Sequence, residues 1–359
     1  MKASLRPAAT PSQQRRSRPR VKDRPYPKTR PSGQHPRRRF LRLAAGAVAL
    51  PAVSPMAWAQ GYPSRPVTMI VAGPAGGPSD AVGRVVAEGM RGSLGQRIII
   101  QNVSGADGTI GTGRVARARP DGYTIQLGTP TTHMMNGAVY SLPYDVVNDF
   151  APISPLVSLP VFLFARKTMP AKDLIELIAW LKANPNKASA GIGTTFLRLV
   201  TAIFQRETAT QFTFVPYRGI APAITDLVAG HIDLVFANPD TLPLARAGSI
   251  KAYGVASDAR LELAPDIPTF GEMGLPLSFS GAGWYGIFAP KGTPVEIIDR
   301  LNAATVQALA DPAVRSRLAD LGVEIFRREQ QTPKALGALQ KAQIEKWWPI
   351  VKELGIKAQ

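Results

Sequence analysis

The sequence predicts an α/β fold in which parallel β-sheets are flanked by helices. From Pro66 onward, short apolar runs alternate with stretches of helical periodicity, and 45% of all residues are hydrophobic. Alternation of strands and helices is typical of parallel sheets, because each parallel strand needs a crossover connection. A length of 359 residues leaves room for one or two such domains.

Eight segments have the apolar runs expected of strands, with helical patterns between them. The predicted strands are Val67–Ala72, Arg97–Asn102, Tyr123–Leu127, Val161–Ala165, Phe212–Val215, Ile232–Phe236, Lys251–Ser257 and Trp284–Ala289. Helical spacing of three and four residues is shown by Leu174, Ile175, Ile178 and Leu181. Near the C-terminus, prolines suited to a first helical turn mark three more helices. These are Val295–Leu309, Pro312–Leu321 and Pro333–Leu354.

The formal charge of +18 is concentrated at the N-terminus. Residues 1–42 contain 14 Lys/Arg and one acid, so the rest of the chain carries only +5. Beyond residue 60, basic residues form only short pairs such as Arg327-Arg328, without interleaved aromatics, which argues against a nucleic-acid partner. The chain has no cysteine, which excludes disulfides, thiolate catalysis and cysteine-ligated metals.

Residues 37–59 have the three-part layout of a signal peptide. The basic run Arg37–Arg42 is followed by an uncharged, alanine-rich stretch from Leu43 to Pro55 and then by Ala57-Trp58-Ala59. We expect cleavage after Ala59 and a periplasmic mature protein. The basic run resembles a twin-arginine signal, with general secretory export left open. Residues 1–36 are rich in Pro, Arg and Ser, and we expect them to form a disordered basic extension.

A membrane anchor is the alternative interpretation of this N-terminal segment. Spanning a bilayer takes about 20 apolar residues. The apolar stretch here is shorter, and Pro51 and Pro55 interrupt it. A cleaved signal therefore fits the segment better than an anchor.

The first of three candidate ligand loops lies between a predicted strand and a predicted helix. It runs from Gly73 to Asp80, and the helix that follows has one apolar face formed by Val82, Val85, Val86 and Met90. Gly76 and Gly77 allow the backbone to approach a ligand, and the free N–H groups and dipole of a helix start attract an anion. The alternative is a tight turn followed by a helix that Ser79 or Asp80 caps.

Two further loops have similar composition. Gly128–His133 follows the third predicted strand, and Ala190–Thr195 precedes a helical stretch. In open α/β sheets, ligands bind at the carboxyl ends of the strands, so we expect the three loops to converge in one cleft. Their hydroxyl groups supply donors for carboxylate oxygens.

Signatures of enzymes are missing from the sequence. Gly191-Ile192-Gly193 lacks the third glycine of a dinucleotide fingerprint, and the glycines from Gly108 to Gly113 are in the wrong order. His133 and His231 are almost a hundred residues apart and have no neighbouring pattern of carboxylates. We therefore expect no catalysis, no cofactor and no metal.

The chain resembles the solute receptors of tripartite tricarboxylate transporters, the Bug or TctC-like family, from Tyr62 to about Ile356. Nine segments carry the resemblance by their order and spacing. They are Tyr62–Val67, the loop ending in Asp80, Ser93–Gln96, Pro120–Thr124, Leu142–Asp145, Asp149–Ile153, Val215–Gly219, Pro265–Thr269 and Trp284–Gly286.

The resemblance implies a two-lobed periplasmic-binding-protein-like fold of type II, whose chain crosses between the lobes twice. We place the crossings near Leu159–Leu163 and Trp284–Phe288. Lobe 1 would then comprise residues 62–160 and 287–359, and lobe 2 would comprise residues 161–286. The ligand carboxylate would be bound mainly by N–H groups of the first and third loops. Carried over by position, the binding residues would be Ala75, Gly76, Gly77, Ser79, Asp80, Thr131, Thr132, His133, Gly193, Thr194, Thr195, Tyr217 and Asn238.

Two departures from the family pattern bear on the ligand. Ile192 stands where the family usually has Asn, and Ala237 stands where it usually has Asp. The loss of an amide and a carboxylate predicts a less polar pocket. On this basis we expect a carboxylate with an apolar or aromatic body and not an amino acid, whose ammonium group would need an acid.

Together, the residues and the resemblance predict a monomeric periplasmic receptor for a small organic carboxylate. It would close its lobes around the ligand and deliver it to a two-component membrane permease of the tripartite tricarboxylate type. A receptor that feeds a sensor kinase is the main alternative. An α/β enzyme is a further one, but the sequence offers no convergent base, nucleophile or metal site.

Overall fold

The computed structural model describes residues 61–357, which contain two β-sheets surrounded by helices. The predicted signal peptide and basic extension lie outside these residues. The strands are β1 Val67–Val71, β2 Ile98–Asn102, β3 Thr124–Gly128, β4 Phe150–Ser158, β5 Phe162–Arg166, β6 Ser189–Ile192, β7 Thr213–Pro216, β8 Leu234–Ala237, β9 Ile250–Val255, β10 Trp284–Pro290 and β11 Glu324–Ile325.

The α-helices lie between the strands in the first two thirds of the chain and dominate its C-terminal part. They are α1 Pro78–Leu94, α2 Thr109–Ala116, α3 Asn136–Val139, α4 Leu174–Ala183, α5 Thr195–Thr208, α6 Ile220–Ala229, α7 Leu242–Arg246, α8 Val295–Ala310, α9 Pro312–Asp320 and α10 Pro333–Glu353. The three predicted C-terminal helices are confirmed to within one residue at each end. None of the helices in residues 61–357 has both the length and the apolar composition needed to cross a membrane.

The first sheet has the strand order β11-β4-β10-β3-β1-β2. Strand β1 is parallel to both β2 and β3, whereas β10 is antiparallel to β3 and β4, and β11 is antiparallel to β4. The expectation of wholly parallel sheets was therefore wrong for this half of the sheet. The antiparallel strands need no crossover helix, because β4 leaves this sheet for the second one and β10 returns from it.

The second sheet has the order β7-β6-β8-β5-β9. Its core is parallel, with β6 between β7 and β8, and β5 is antiparallel to β8 and β9. We refer to the parts built on the first and second sheets as lobe 1 and lobe 2. The predicted α/β class with two lobes is confirmed by these two separate sheets.

The chain passes between the two sheets at two adjacent places. It leaves lobe 1 between Ser158 and Phe162 and returns between Val255 and Trp284. The N–H of Leu159 donates to the carbonyl of Gly283 at 3.0 Å, so the two crossings are hydrogen-bonded to each other. A Cβ atom at Gly283 would lie 2.1 Å from the Leu159 carbonyl oxygen, which makes glycine obligatory there. The second crossing ends at the start of β10 and thus earlier than the predicted segment Trp284–Phe288.

Lobe 1 is held together by apolar contacts on both faces of its sheet. On one face, α1 packs with its predicted apolar side: Val82, Val85, Val86 and Met90 are each at most 5% exposed. These residues share a cluster with Leu301 and Leu309 of α8 and with strands β1, β3 and β10. Burial of one such side chain is worth roughly 1.5–3 kcal/mol, so the amphipathic pattern of α1 determines where the helix sits.

The long C-terminal helix α10 packs against both lobes. Its first part buries Leu336 beside Trp284 and Phe288 of lobe 1. Farther along, Trp347 stacks on Phe279 at 5.4 Å and joins the apolar cluster that contains the strands of lobe 2. Apolar contacts at both ends therefore fix α10 across the two crossings.

Polar contacts from α10 also hold the segment that follows β3. Buried Gln340 donates through Nε2 to the carbonyls of His133 and Val146, at 2.8 and 2.7 Å. The indole Nε1 of Trp348 donates to the carbonyl of Met134 at 2.9 Å. The C-terminal helix thereby fixes the turn Thr131–Met135, two of whose residues line the cavity between the lobes.

We expect Gln340→Ala to destabilise the protein, because it leaves two buried carbonyl groups without their donor. Each unsatisfied group costs about 1–3 kcal/mol, so the loss of two should lower the free energy of unfolding by about 2–6 kcal/mol. Urea denaturation followed by circular dichroism measures this change. Lys341→Ala, at the exposed neighbouring position, is the control and should have little effect. Equal effects of the two substitutions would show that the bridge from Gln340 is dispensable.

Candidate ligand-binding site

A cavity of about 980 Å³ lies between the lobes, where loops from both sheets meet. Lobe 1 contributes the loops after β1, β2 and β3, and lobe 2 contributes the loops after β6, β7 and β8. These loops follow the carboxyl ends of the parallel strands, as predicted for the three candidate loops. The crossings contribute Leu159 and Gly283, and β10 contributes Trp284 and Tyr285. Further aromatic walls come from Tyr140, Phe196 and Tyr217.

Ten of the thirteen predicted binding residues line this cavity. They are Ala75, Gly76, Gly77, Ser79, Thr131, Thr132, Gly193, Thr194, Tyr217 and Asn238. The other three, Asp80, His133 and Thr195, are turned to contacts within the protein. Ligand binding by the ten residues stays a prediction, whereas the positions of the three call for a different interpretation of each.

The loop after β1 leads into α1 and leaves the start of this helix open. Gly77 is the N-cap of α1 and provides no side chain to cap it, so neither Ser79 nor Asp80 is the capping residue. The amides of Ser79 and Asp80 lie in the first turn, where N–H groups have no acceptor within a helix. Ser79 lines the cavity, so the positive end of the helix dipole is directed at the space where a ligand would lie.

Asp80 is a buried residue that holds this loop by hydrogen bonds. It is 4% exposed, and its carboxylate accepts hydrogen bonds from the Gly76 amide at 2.9 Å, Arg84 Nε at 2.9 Å and Asn102 Nδ2 at 3.0 Å. Burial opposes ionisation of Asp80, but these three donors outweigh it and lower the pKa of the carboxyl. The side chain of Asp80 therefore holds Gly76 in place and is not available to a ligand.

His133 is a core residue. Its side chain is fully buried and stacks on Phe288 with ring centroids 4.0 Å apart. The ring Nδ1 shares a hydrogen bond with Thr132 Oγ1 at 3.0 Å, and Nε2 is buried without a partner among the described residues. Burial lowers the pKa of His133 to about 3. The predicted role in ligand binding is not supported, because the imidazole is fully buried and does not reach the cavity, whereas its neighbour Thr132 does.

The start of α5 is already capped by protein groups. Thr194 is its N-cap and accepts from the Leu197 amide at 3.2 Å. The amide of Thr195 donates to Oδ2 of Asp107 at 3.0 Å, and the hydroxyl of Thr195 donates to the same oxygen. This third loop therefore has less capacity to bind a ligand carboxylate than the sequence suggested, because Asp107 occupies its helix N-terminus.

The start of α6 is open in the same way as that of α1. Gly219 is its N-cap, has φ +104° and provides no side-chain cap. The first residues of α6, Ile220 to Pro222, line the cavity. A Cβ atom on Gly219 would lie 3.6 Å from Pro74 Cγ, so the N-cap of α6 lies close to the loop that leads into α1. Exposed Arg218 lies next to them and has no ion-pair partner in the described part of the chain.

The loop between β2 and α2 was missed as a site segment. Residues 104–108 line the cavity, and Asp107 among them adopts a φ of +53°. The sequence signal was an acid between Gly105 and Gly108 directly after a predicted strand. Only Gly108 enters the sequence prediction, as the first glycine of a run that does not match the dinucleotide fingerprint, and Asp107 is not among the predicted site residues.

Ile192 and Ala237 do not line the cavity. They end strands β6 and β8 and are at most 1% exposed in the core of lobe 2. The expectation that they make the pocket less polar is therefore unsupported by their positions. Within residues 61–357, no cluster of three or more potential metal ligands occurs.

We expect His133 to make the folded state sensitive to acid. The unfolded chain takes up a proton near pH 6.5, whereas the folded chain does so only near pH 3, so stability is complete above pH 6.5 and falls as the pH drops between these values. The free energy of unfolding changes by at most about 1.4 kcal/mol per pH unit when one proton is taken up. Urea denaturation at a series of pH values between 6.5 and 4 measures this change. The free energy of unfolding should depend less steeply on pH in His133→Gln than in the wild type.

The matched control is His231→Gln, because the side chain of His231 is 71% exposed. This variant should keep the wild-type slope. Identical slopes for the wild type and His133→Gln would contradict burial of a neutral imidazole at residue 133.

Comparison with known proteins identifies the family. The model of the tripartite tricarboxylate transporter family receptor, TctC, matches residues 82–356. A protein of Agrobacterium vitis from the TAR-I ttuE-ttuC' intergenic region is 36% identical over 321 residues, which covers 88% of this chain and 92% of that one. Protein BugT of Bordetella pertussis is 32% identical over 329 residues, covering 89% and 98%.

Solved structures of similar proteins share the fold. The periplasmic binding protein BugD is 36% identical with a TM-score of 0.76, covering 83% of this chain and 100% of that chain. MatC of Rhodopseudomonas palustris, solved with bound malate, is 37% identical with a TM-score of 0.74, covering 81% and 100%. Rpa4515 of R. palustris, solved with adipate, is 31% identical with a TM-score of 0.77, covering 82% and 99%. The two sheets, the cavity between them and these matches together show that the chain belongs to the TctC family of tripartite tricarboxylate transporter receptors, also known as Bug proteins.

Proposed function

We propose that this protein is a periplasmic receptor that binds a small organic carboxylate in the interlobe cavity and delivers it to a two-component membrane permease. The observation that supports this most directly is the pair of uncapped helix starts, α1 from lobe 1 and α6 from lobe 2, which line one cavity. Their free N–H groups and dipoles favour an anion between them. The relatives solved with malate and adipate support the same ligand class.

The carboxylate would bridge the lobes. One oxygen would accept from the first-turn amides of α1, near Ser79, and the other from those of α6, near Ile220. These contacts exist only when the two helix starts are close together, so the ligand favours the closed arrangement of the lobes. Arg218 adds a positive charge at the exposed side of the cavity and attracts anions toward it.

The cavity offers the groups of a receptor, and no catalytic constellation is among its lining residues. Its hydroxyl and amide groups are donors suited to holding a carboxylate, and its one histidine candidate, His133, is buried behind Thr132. Export would follow from the predicted signal peptide at residues 37–59, and we propose that the mature chain works as a monomer without a cofactor. A ligand sensor that signals to a kinase would use the same cavity and differ only in its partner.

Calorimetric titration with malate, adipate and aspartate tests binding, and Arg218→Gln tests the proposed location. At least one of these acids should bind to the wild type. The substitution should raise the Kd by about 1.4- to fivefold, because an exposed ion pair is worth about 0.2–1 kcal/mol. The difference should shrink in high salt, since an exposed charge is screened.

Arg317→Gln is the matched control, because Arg317 is an exposed arginine of α9 outside the cavity lining. This variant should bind like the wild type. Failure of all three acids to bind would count against the receptor function. An equal loss of affinity in both variants would count against the cavity as the binding site.

A further inference from the structure

Asp107 lies in the wall of the cavity, and its carboxylate takes no part in the proposed binding of the ligand carboxylate by α1 and α6. It lies in the loop between β2 and α2, next to Gly108, whose position is tightly packed: a Cβ there would lie 2.7 Å from the Ala72 carbonyl oxygen and 2.8 Å from Thr132 Cγ2. The loop that carries Asp107 therefore packs between the end of β1 and the loop after β3.

The backbone at this position is unusual for a residue with a side chain. Ala106 and Asp107 have φ values of +44° and +53°, in the left-handed region that glycine occupies most easily. Aspartate tolerates this region better than most residues, but glycine would fit it at lower cost. The chain thus keeps a carboxyl group at a place where the local backbone alone would favour glycine.

One oxygen of Asp107 is fixed by the opposite lobe. Oδ2 accepts hydrogen bonds from the amide and the hydroxyl of Thr195, and the main-chain carbonyl of Asp107 accepts from Asn136 Nδ2 at 3.0 Å. The other oxygen, Oδ1, accepts no hydrogen bond from any residue between 61 and 357, and it is not one of the unpaired atoms sealed inside the protein. Because Asp107 lines the cavity, Oδ1 is an acceptor available to a bound molecule.

The charge of Asp107 has no counter-ion in the part of the chain that the structure describes. No Lys, Arg or His in the described residues forms a salt bridge with it. Burial raises the pKa of the carboxyl, and the two bonds from Thr195 offset part of this rise. Among the residues that line the cavity, the charged side chains are Asp107 and Arg218, one of each sign. A molecule with one carboxylate and one cationic nitrogen complements both.

We propose that Asp107 is the specificity-determining residue of the cavity and selects organic acids that carry a cationic nitrogen, such as amino acids. This inference rests on the proposed receptor function. The ligand carboxylate lies at the open starts of α1 and α6 beside Arg218, and its ammonium group donates to Asp107 Oδ1. Thr195 is the positioning residue, because its two donors hold Oδ2 and so direct Oδ1 toward the cavity.

This assignment reverses the expectation drawn from the sequence. That expectation rested on the absence of an acid at Ala237, which is buried in β8 and does not reach the cavity. The structure supplies the acid from the other lobe, at Asp107. A plain dicarboxylate would bring a second anion toward a carboxylate that has no counter-ion, so it is expected to bind more weakly than its aminated counterpart.

Succinate, malate and aspartate provide the matched test, because they share one carbon chain and carry hydrogen, hydroxyl or ammonium at the second carbon. Calorimetry should give wild-type affinities in the order aspartate, malate, succinate. Aspartate should bind about tenfold or more tightly than succinate, as expected for a charge-assisted hydrogen bond in a cavity. A second pair, 6-aminohexanoate and adipate, applies the same test to a longer chain.

Two variants assign the preference to Asp107. Asp107→Asn keeps the shape, the tolerance of positive φ and an acceptor for Thr195, and it should lower aspartate affinity about tenfold while leaving succinate binding unchanged or tighter. Asp107→Gly removes the side chain at a φ that glycine adopts freely and should give the same reversal. Agreement between the two variants separates loss of the carboxylate from damage to the fold.

The possible outcomes are distinguishable. Preference for the aminated acids in the wild type, lost in both variants, supports the assignment. Equal affinity of the wild type for succinate and aspartate, or a preference that survives in Asp107→Asn, overturns it and leaves the receptor function standing. Absence of binding for all five acids in every variant contradicts the receptor function and this inference with it.

Discussion

The pairing of the two interlobe crossings is the constraint from which the binding site follows. The hydrogen bond from Leu159 to Gly283 joins the crossings, and the absence of a side chain at Gly283 allows the two backbones to touch. Because both crossings lie side by side, the carboxyl ends of the parallel strands in the two sheets face one cavity. The helix α10 packs across this region and fixes the turn Thr131–Met135 through Gln340. A cavity with walls from both lobes is the consequence.

Two internal carboxylates determine which helix starts remain open to a ligand. Asp80 accepts from the Gly76 amide and shapes the first loop, while the beginning of α1 has no side-chain cap. Asp107 takes the amide of Thr195 and so satisfies the beginning of α5. The beginning of α6 has no side-chain cap, and no hydrogen bond joins it to an acidic side chain within residues 61–357. A ligand carboxylate is therefore expected at α1 and α6, and the second oxygen of Asp107 is left as an acceptor for a different group of the same ligand.

Most of the fold could be predicted from the sequence, and the omissions have physical reasons. All eight predicted strands exist within two residues at each end, because each is a short apolar run between polar or turn-forming residues. Strand β4 was missed because Pro152 and Pro155 interrupt it, and it pairs with β10 through two register shifts. Strand β6 was interpreted as a loop, since its four residues include glycine and serine.

Of the site, sequence patterns located the loops but not the directions of their side chains. The burial of His133 depends on Phe288, which is distant in the chain, and the role of Asp107 depends on Thr195 in the other lobe.

The most direct test of this account is a crystal structure of the protein with an acid that binds it in solution. We expect one ligand carboxylate to lie within about 3.2 Å of main-chain nitrogens in the first turns of both α1 and α6. The bond between Asp107 and Thr195 should be intact in that complex. A carboxylate bound instead at the start of α5, with Asp107 displaced from Thr195, would contradict the account. So would a ligand bound outside the cavity between the lobes.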